Sequence, residues 1–339
     1  MSKRSKVLSS LFGLLVCTLP GVAAPVVSTA KPRVVTEENT RAILWRPHAD
    51  MRSLNLFYGP GGKIDAPKGT VFQFVKEDMT GTNPKFTVRD AEGVKWKVKL
   101  GVEAKPETVA TRLLWAAGYT ADEDYFVPTI QVNGMPHLRR GNQFVKRGGI
   151  VQNARLERDR AGIEKVDEWK WADNPFVSNR QLNGLRVMMA LINNWDLKTI
   201  NNGVLERKNG ERIYMVTDVG ASFGSAGFAY TQGKAKGNLH EYERSSFITK
   251  VTPEYVDFKT PAAPSLLRIF GLPAFVRRLG MLSIGRHVPR EDARWMGDVL
   301  AHLSREQIAD AFRAAAYTPT EVDRYTRAVM RRINELEAL

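Results

Sequence analysis

The chain has 339 residues, is 43% hydrophobic and 25% charged, and carries a formal net charge of +14 with one cysteine. That length buries a sizeable core in one large domain or two lobes, and the apolar fraction excludes wholesale disorder. A single cysteine excludes a disulfide scaffold and a Cys-rich zinc site, and the basic balance favours anionic partners, although no RNA-binding aromatic motif or dense Lys/Arg block points to a specific nucleic acid.

Lys3, Arg4 and Lys6 make a basic start, an apolar stretch covers 7–16, Pro20 breaks it, and Gly21, Ala23 and Ala24 follow. This is the three-part pattern of a secretory signal peptide over residues 1–24. The mature chain is therefore expected to be exported, periplasmic or secreted, and to have lost Cys17. No other apolar run approaches the ~20 residues of a membrane-spanning helix. Residues 25–69 are mixed, polar and proline-containing, and read as an arm or linker, with Tyr58-Gly59-Pro60-Gly61-Gly62 as a turn.

From residue 70 the pattern changes. Segments 70–76, 86–90 and 94–100 read as three strands of a β-meander, joined by a loop over 77–85 and a turn at Asp90-Ala91-Glu92-Gly93. A helix follows, with Pro106 in its first turn, Glu107 near the positive end of its dipole, Ala110, Leu113, Leu114 and Ala117 as its apolar face, and Gly118 at its end. Two further strands, 125–132 and 142–146, complete a small α+β lobe over 70–148. From about residue 150 helices are expected to dominate, through 149–339. Ser178-Asn179-Arg180-Gln181 reads as a capping box ahead of Leu182, Leu185, Met189 and Ile192, whose spacing is that of core packing. Segments 203–207 and 212–217 form a hairpin around Asn209-Gly210, and helices start at Ser304-Arg305-Glu306-Gln307 and Thr318-Pro319-Thr320-Glu321.

The polar residues at the ends of these elements suit phosphoryl transfer. After the long predicted helix, Asp196, Lys198 and Asn201 form D-x-K-x-x-N. A carboxylate orients or takes the acceptor's proton, an ammonium neutralises the moving phosphoryl group, and a short amide or carboxylate holds Mg²⁺. Asp218-Val219-Gly220 at the end of the hairpin is a D-x-G that supplies the second metal ligand, with Gly220 letting the backbone turn beside the metal. In the small lobe Lys95, Lys97 and Lys99 share one face of the third strand, and Trp96, Val98 and Leu100 the other. One of these lysines can reach nucleotide phosphates if Glu107 holds it. The loop with Thr80, Gly81 and Thr82 can cover phosphates with its backbone N–H groups.

In order and element type this set resembles the protein-kinase-like superfamily, and most of all its HipA toxin kinase and phosphatidylinositol kinase branch. Gly81-Thr82-Asn83-Pro84-Lys85 echoes the loop pattern G-x-Q-P-K, and Asn194 through Asn201 echoes N-x-D-x-H-x-x-N with Lys198 in place of the histidine. The resemblance covers roughly residues 70–225. It implies a two-lobed kinase-like α+β fold, with an N-terminal antiparallel β-sheet lobe carrying one helix and a mostly helical C-terminal lobe. It implies Asp196 as catalytic base and Lys198 near the γ-phosphate, with Asn201 and Asp218 holding Mg²⁺ or Mn²⁺. Lys99 would bind the phosphates of ATP or another nucleotide, paired with Glu107, and Lys97 shares its face as the alternative. The acceptor would be an unidentified hydroxyl on a protein, lipid or sugar. The pattern departs from ordinary protein kinases in having Asn194-Trp195 in place of their His-Arg pair and no A-P-E segment after Asp218. Two other functions compete. One is a catalytically idle nucleotide or anion binder on the same fold. The other is a serine hydrolase using Ser222 in Gly220-Ala221-Ser222-Phe223-Gly224, a G-x-S-x-G elbow.

Overall fold

A computed structural model describes residues 41–81, 83–160, 164–225, 236–259 and 280–339. The expected signal peptide, the first part of the arm and Thr82 lie outside the described residues. The first element, β1 (Ala42–Ile43), lies parallel to a strand far along the chain, and a short 3₁₀ turn follows at Met51–Ser53. Three strands then alternate as expected: β2 (Val71–Asp78), β3 (Lys85–Arg89) and β4 (Lys95–Lys99), paired antiparallel as two hairpins. The β3–β4 turn is built by Asp90, whose carboxylate accepts from the Val94 N–H and the Trp96 indole at 2.8 Å each. Helix α1 (Ala104–Ala116) crosses to β5 (Asp124–Asn133), short β6 (Val145–Lys146) and long β7 (Ile150–Arg158).

These strands do not make an open antiparallel sheet. Their order is β4-β3-β2-β5-β7-β6, and β4 also pairs with β7, so five of them close into a barrel. The pair β2–β5 is parallel, from Val71 opposite Gln131 to Gln73 opposite Asn133. The long connection through α1 permits this, since parallel neighbours require a crossover. Closure gives β4 a partner on both sides and removes a free edge. Phe72, Phe86, Val88, Trp96, Val98, Ile130, Val151 and Leu156 fill the interior. The expectations that 142–146 is a strand and that helices dominate from 150 are corrected. Asn142–Phe144 is a 3₁₀ turn, and β7 sits between β5 and β4, so the sheet runs past the proposed boundary at 148.

The second core is formed mainly by helices. After β8 (Glu164–Glu168) come α2 (Arg180–Leu191), the hairpin β9 (Asn202–Glu206) and β10 (Arg212–Val216), and α3 (Leu239–Arg244). A small sheet of β11 (Ile248–Val251), β12 (Tyr255–Phe258) and β13 (Val288–Pro289) precedes α4 (Arg290–Ala301), α5 (Arg305–Ala314) and α6 (Pro319–Glu337). The capping boxes at Ser304 and Thr318 are formed as expected. At α2 no box forms: the cap is Asn179, with no side-chain bond, and Ser178 turns back with φ 74°. Nor is the stretch from 41 a loose arm. Leu44 and Leu56 are buried in the helical core, Trp45 meets Trp295 edge-on at 5.2 Å, and the Gln307 amide donates to the Met51 and Leu54 carbonyls at 2.8 and 3.0 Å. Arg332 of α6 is fully buried, donates to the Ala190 and Leu191 carbonyls at the end of α2 at 3.2 and 2.8 Å, and lies 4.0 Å from the Tyr242 ring centre.

Helix α1 joins the two cores. Val109, Ala110, Leu113 and Leu114 belong to the helical core. Its polar side faces the barrel, where the buried Asp124 of β5 accepts from Arg112 at 2.8 Å, Thr111 at 3.1 Å and Arg155 of β7 at 2.7 Å. Removing one member of such a buried set leaves its partners as uncompensated charges. Asp124→Ala is therefore expected to lower unfolding stability by ~3–5 kcal/mol, measured by urea titration.

Candidate active site

The three lysines of β4 share a face but meet different surroundings. Lys95 is exposed, and Lys97, half exposed, pairs with Glu157 of β7 at 3.4 Å. Lys99 alone is covered, because the start of α1 passes over the barrel at this point. Its ammonium lies 2.7 Å from Glu107 Oε2 and 2.9 Å from Glu103 Oε2, and also pairs with Asp218 Oδ1. The oxygens of Glu103, Glu107 and Asp218 come within 4.8 Å of one another. Burial pulls the Lys99 ammonium down, but the three carboxylates more than offset this, and it stays protonated well above its ordinary range. Burial pushes Glu107 up, and Arg155, 3.7 Å from its Oε1, and Lys99 only partly reverse this. Burial also acts upward on Asp218, but the charge and hydrogen bond of Lys99 hold it below its ordinary value.

Asp218 arrives from the β9–β10 hairpin. Val216 lies opposite Asn202, so Asn201 and the residues after β10 are side by side. The Thr217 N–H donates to the Asn201 carbonyl at 2.7 Å, and the Trp195 N–H to the Ala221 carbonyl at 3.3 Å. The D-x-K-x-x-N loop is tied internally. The Asn194 side chain accepts from the Asp196 N–H at 2.9 Å, and the Asn201 amide nitrogen donates to the Asp196 carbonyl at 2.8 Å. Lys198 Nζ sits 2.7 Å from Asp196 Oδ1. The structure thus sets the Asp196–Asn201 loop beside the D-x-G and brings Lys99, Glu107 and Asp218 into contact.

The turn role expected of Gly220 belongs to Asp218, whose φ is 54°, a left-handed conformation costly for a side-chain-bearing residue. Gly220 is needed for room: a Cβ there would lie 2.6 Å from Glu103 Cβ. In the hairpin loop Gly81 adopts φ 66°, and Arg140 donates to the Gly81 carbonyl at 2.6 Å and the Asp78 carbonyl at 3.0 Å. Three contributing residues were not anticipated. Glu103 accepts from Lys99, from the Asn83 amide and from Lys236. The spacing Lys99, Glu103, Glu107 is the signal that could have found Glu103, and Asn83 stands within the G-x-Q-P-K-like loop. Lys236 carries no sequence signal. Ser222 is fully buried and its hydroxyl donates to the Val219 carbonyl at 2.7 Å, so it is no exposed nucleophile, contrary to the hydrolase expectation.

No protein-family profile matches the chain, and no curated protein does. A solved structure described as a Helicobacter pylori proinflammatory kinase, CtkA, is similar to it with a TM-score of 0.41 and 11% sequence identity, over 78% of this chain and 93% of that one. Among the described residues no helix is long and apolar enough to cross a membrane.

The lowered Asp218 pKa sets the sign of a pH effect. The Lys99–Asp218 pair contributes stability that is present above the ordinary value of 3.8 and is lost as pH falls through the lower folded value. Asp218→Asn is expected to destabilise at about pH 6 and to match the unsubstituted protein at strongly acid pH, seen as a flatter acid limb in urea unfolding.

Proposed function

We propose that this chain is a phosphotransferase with a two-lobed protein-kinase-like arrangement, the barrel and the helical core forming the lobes, which moves the terminal phosphate of a nucleotide to a hydroxyl acceptor. One observation carries the reading: a lysine at the end of a barrel strand, glutamates at the start of the next helix and the aspartate of a D-x-G meet at one ammonium. The Asp196–Asn201 loop lies beside this cluster in the chain's folding, tied to the segment of Asp218 by the Thr217 N–H bond to the Asn201 carbonyl. Catalysis of phosphoryl transfer is mostly positioning and charge neutralisation, which a rigid cluster of this kind provides.

In this reading Lys99 binds the phosphates of ATP or another nucleotide, and Glu107, buried and facing Arg155, fixes the lysine. Lys97 is turned to Glu157 and is the weaker candidate. Asp196 orients the acceptor hydroxyl and receives its proton, with Lys198 beside it for the transferred group. Gly81, with its sequence neighbour Thr82, would cover the phosphates. The half-exposed carboxylate of Asp218 and the Asn201 amide oxygen suit a hard divalent cation, and Mg²⁺ or Mn²⁺ held by them would screen phosphate charge. The loop Gly81 to Lys85 and the Asn194 to Asn201 segment support placing the chain nearest the HipA and phosphatidylinositol kinase branch. The basic and apolar N-terminus supports export to the periplasm or beyond, where the nucleotide would come from the compartment in which the protein acts.

A second reading is an idle nucleotide or anion binder, favoured by the direct engagement of Asp218, the expected metal ligand, with Lys99. Incubation with γ-labelled ATP and Mg²⁺ or Mn²⁺ separates the two. The phosphotransferase incorporates label into itself or an added acceptor. Asp196→Ala lowers that rate by about 10²–10⁴-fold while ATP still binds. ATP binding without any incorporation selects the idle binder, and equal incorporation by Asp196→Ala removes Asp196 from the mechanism.

A further inference from the structure

Glu103 immediately precedes α1 and its side chain makes no cap bond to the helix. Its carboxylate is instead drawn into the site, where its side chain is 5% exposed. Oε2 accepts from the Asn83 amide of the β2–β3 loop and lies 2.9 Å from Lys99 Nζ, and Oε1 pairs with Lys236. The side chains of Lys99 and Lys236 are only 8% and 10% exposed. Two buried ammoniums and an amide, from three separate segments, therefore converge on one carboxylate. Lys99 does not need this partner, since Glu107 and Asp218 already pair with it. On its other side Glu103 rests against the D-x-G backbone, where only the missing Cβ of Gly220 makes room for it.

We infer that Glu103 is a resident stand-in for phosphate, occupying a polyphosphate cradle made by Lys99, Lys236 and Asn83, and that Lys236 is a second phosphate-binding cation of the site. This inference rests on the phosphotransferase reading and adds to it the residue that a triphosphate must displace. The donors fit such a ligand: two ammoniums and an amide offer more hydrogens than one carboxylate can accept, and charge-assisted bonds to several phosphate oxygens use them fully. With Glu103 in place the carboxylates of the cluster outnumber its ammoniums, so an entering polyphosphate meets like charge in a poorly solvated space. When Glu103 leaves, Lys236 and Asn83 turn to the ligand and Lys99 keeps Glu107. Glu103 is thus a built-in competitor for the nucleotide.

The test measures binding of Mg·ATP and, separately, of inorganic tripolyphosphate by calorimetry to the full chain and three variants, with thermal melts as the check on folding. Glu103→Ala, or the isosteric Glu103→Gln if the first does not fold, is expected to bind both probes at least about tenfold more tightly. Lys236→Met in the Glu103→Ala background is expected to reverse about tenfold of that gain. If instead Glu103 serves to position Lys99, its removal weakens or leaves unchanged the binding of both probes, and the inference is overturned. If tripolyphosphate binds more tightly to Glu103→Ala and loses affinity with Lys236→Met, while no variant binds Mg·ATP, the cradle stands and the nucleotide reading falls. If neither probe binds any variant, both fall.

Discussion

The described structure is organised around one buried ammonium. Taking the Lys99 charge out of water costs several kcal/mol unless it is fully paired, and no single element of this fold supplies enough negative charge to do so. The partners come from three places: Glu103 just before α1, Glu107 one turn into it, and Asp218 beyond the β9–β10 hairpin. Glu107 and Asp218 suffice to pair the ammonium, and through them both α1 and the segment after the β9–β10 hairpin are tied to the end of β4. The left-handed backbone at Asp218 and the lack of a side chain at Gly220 are local concessions to that convergence.

A second set of charges stands behind the first. Arg155 of β7 faces Glu107, Asp122, Asp124 and Glu157, and Asp124 also holds Arg112 of α1. The guanidinium is the suitable group here, being permanently charged and able to bond in several directions at once. It fixes Glu107 from the side opposite Lys99. Burial alone favours the uncharged acid at Glu107, and the arginine and lysine on its two flanks oppose that tendency. The charges are thus most tightly paired on the barrel side of the site, while the partly buried Asp196 and Lys198 pair with each other on the loop beside the D-x-G.

Much of this was readable in the residue order, and the parts that were not have identifiable physical causes. The alternation of Trp96, Val98 and Leu100 with three lysines fixed the faces of β4, and the D-x-G after a hairpin located Asp218. Strand β7 was missed because Asn153, with φ 54°, interrupts its alternation and because the strand buries an arginine. Barrel closure is a pairing between β4 and β7, distant in sequence, and leaves no local pattern. The stretch from 41 reads as a linker because its apolar anchors, Leu44 and Leu56, stand in short runs (Ala42–Trp45 and Leu54–Tyr58) broken by Arg46, Pro47, Asp50 and Arg52, with neither helical nor strand periodicity. Glu103 lies outside the helix whose apolar face identified Glu107, and only its four-residue spacing from Lys99 hinted at it. Lys236 enters the cluster purely through tertiary folding.

Arg332 ties the far end of the chain to this chemistry. It sits within α6 and closes off the terminal carbonyls of α2, the point from which the chain turns, through Asn193, into the Asp196–Asn201 loop. A helix end normally has free carbonyls that tolerate fraying; here they are stapled by a guanidinium from the final helix. Damage to the C-terminus would thus reach the Asp196–Lys198 pair by unwinding the foundation of its loop, with the barrel and its lysine left standing.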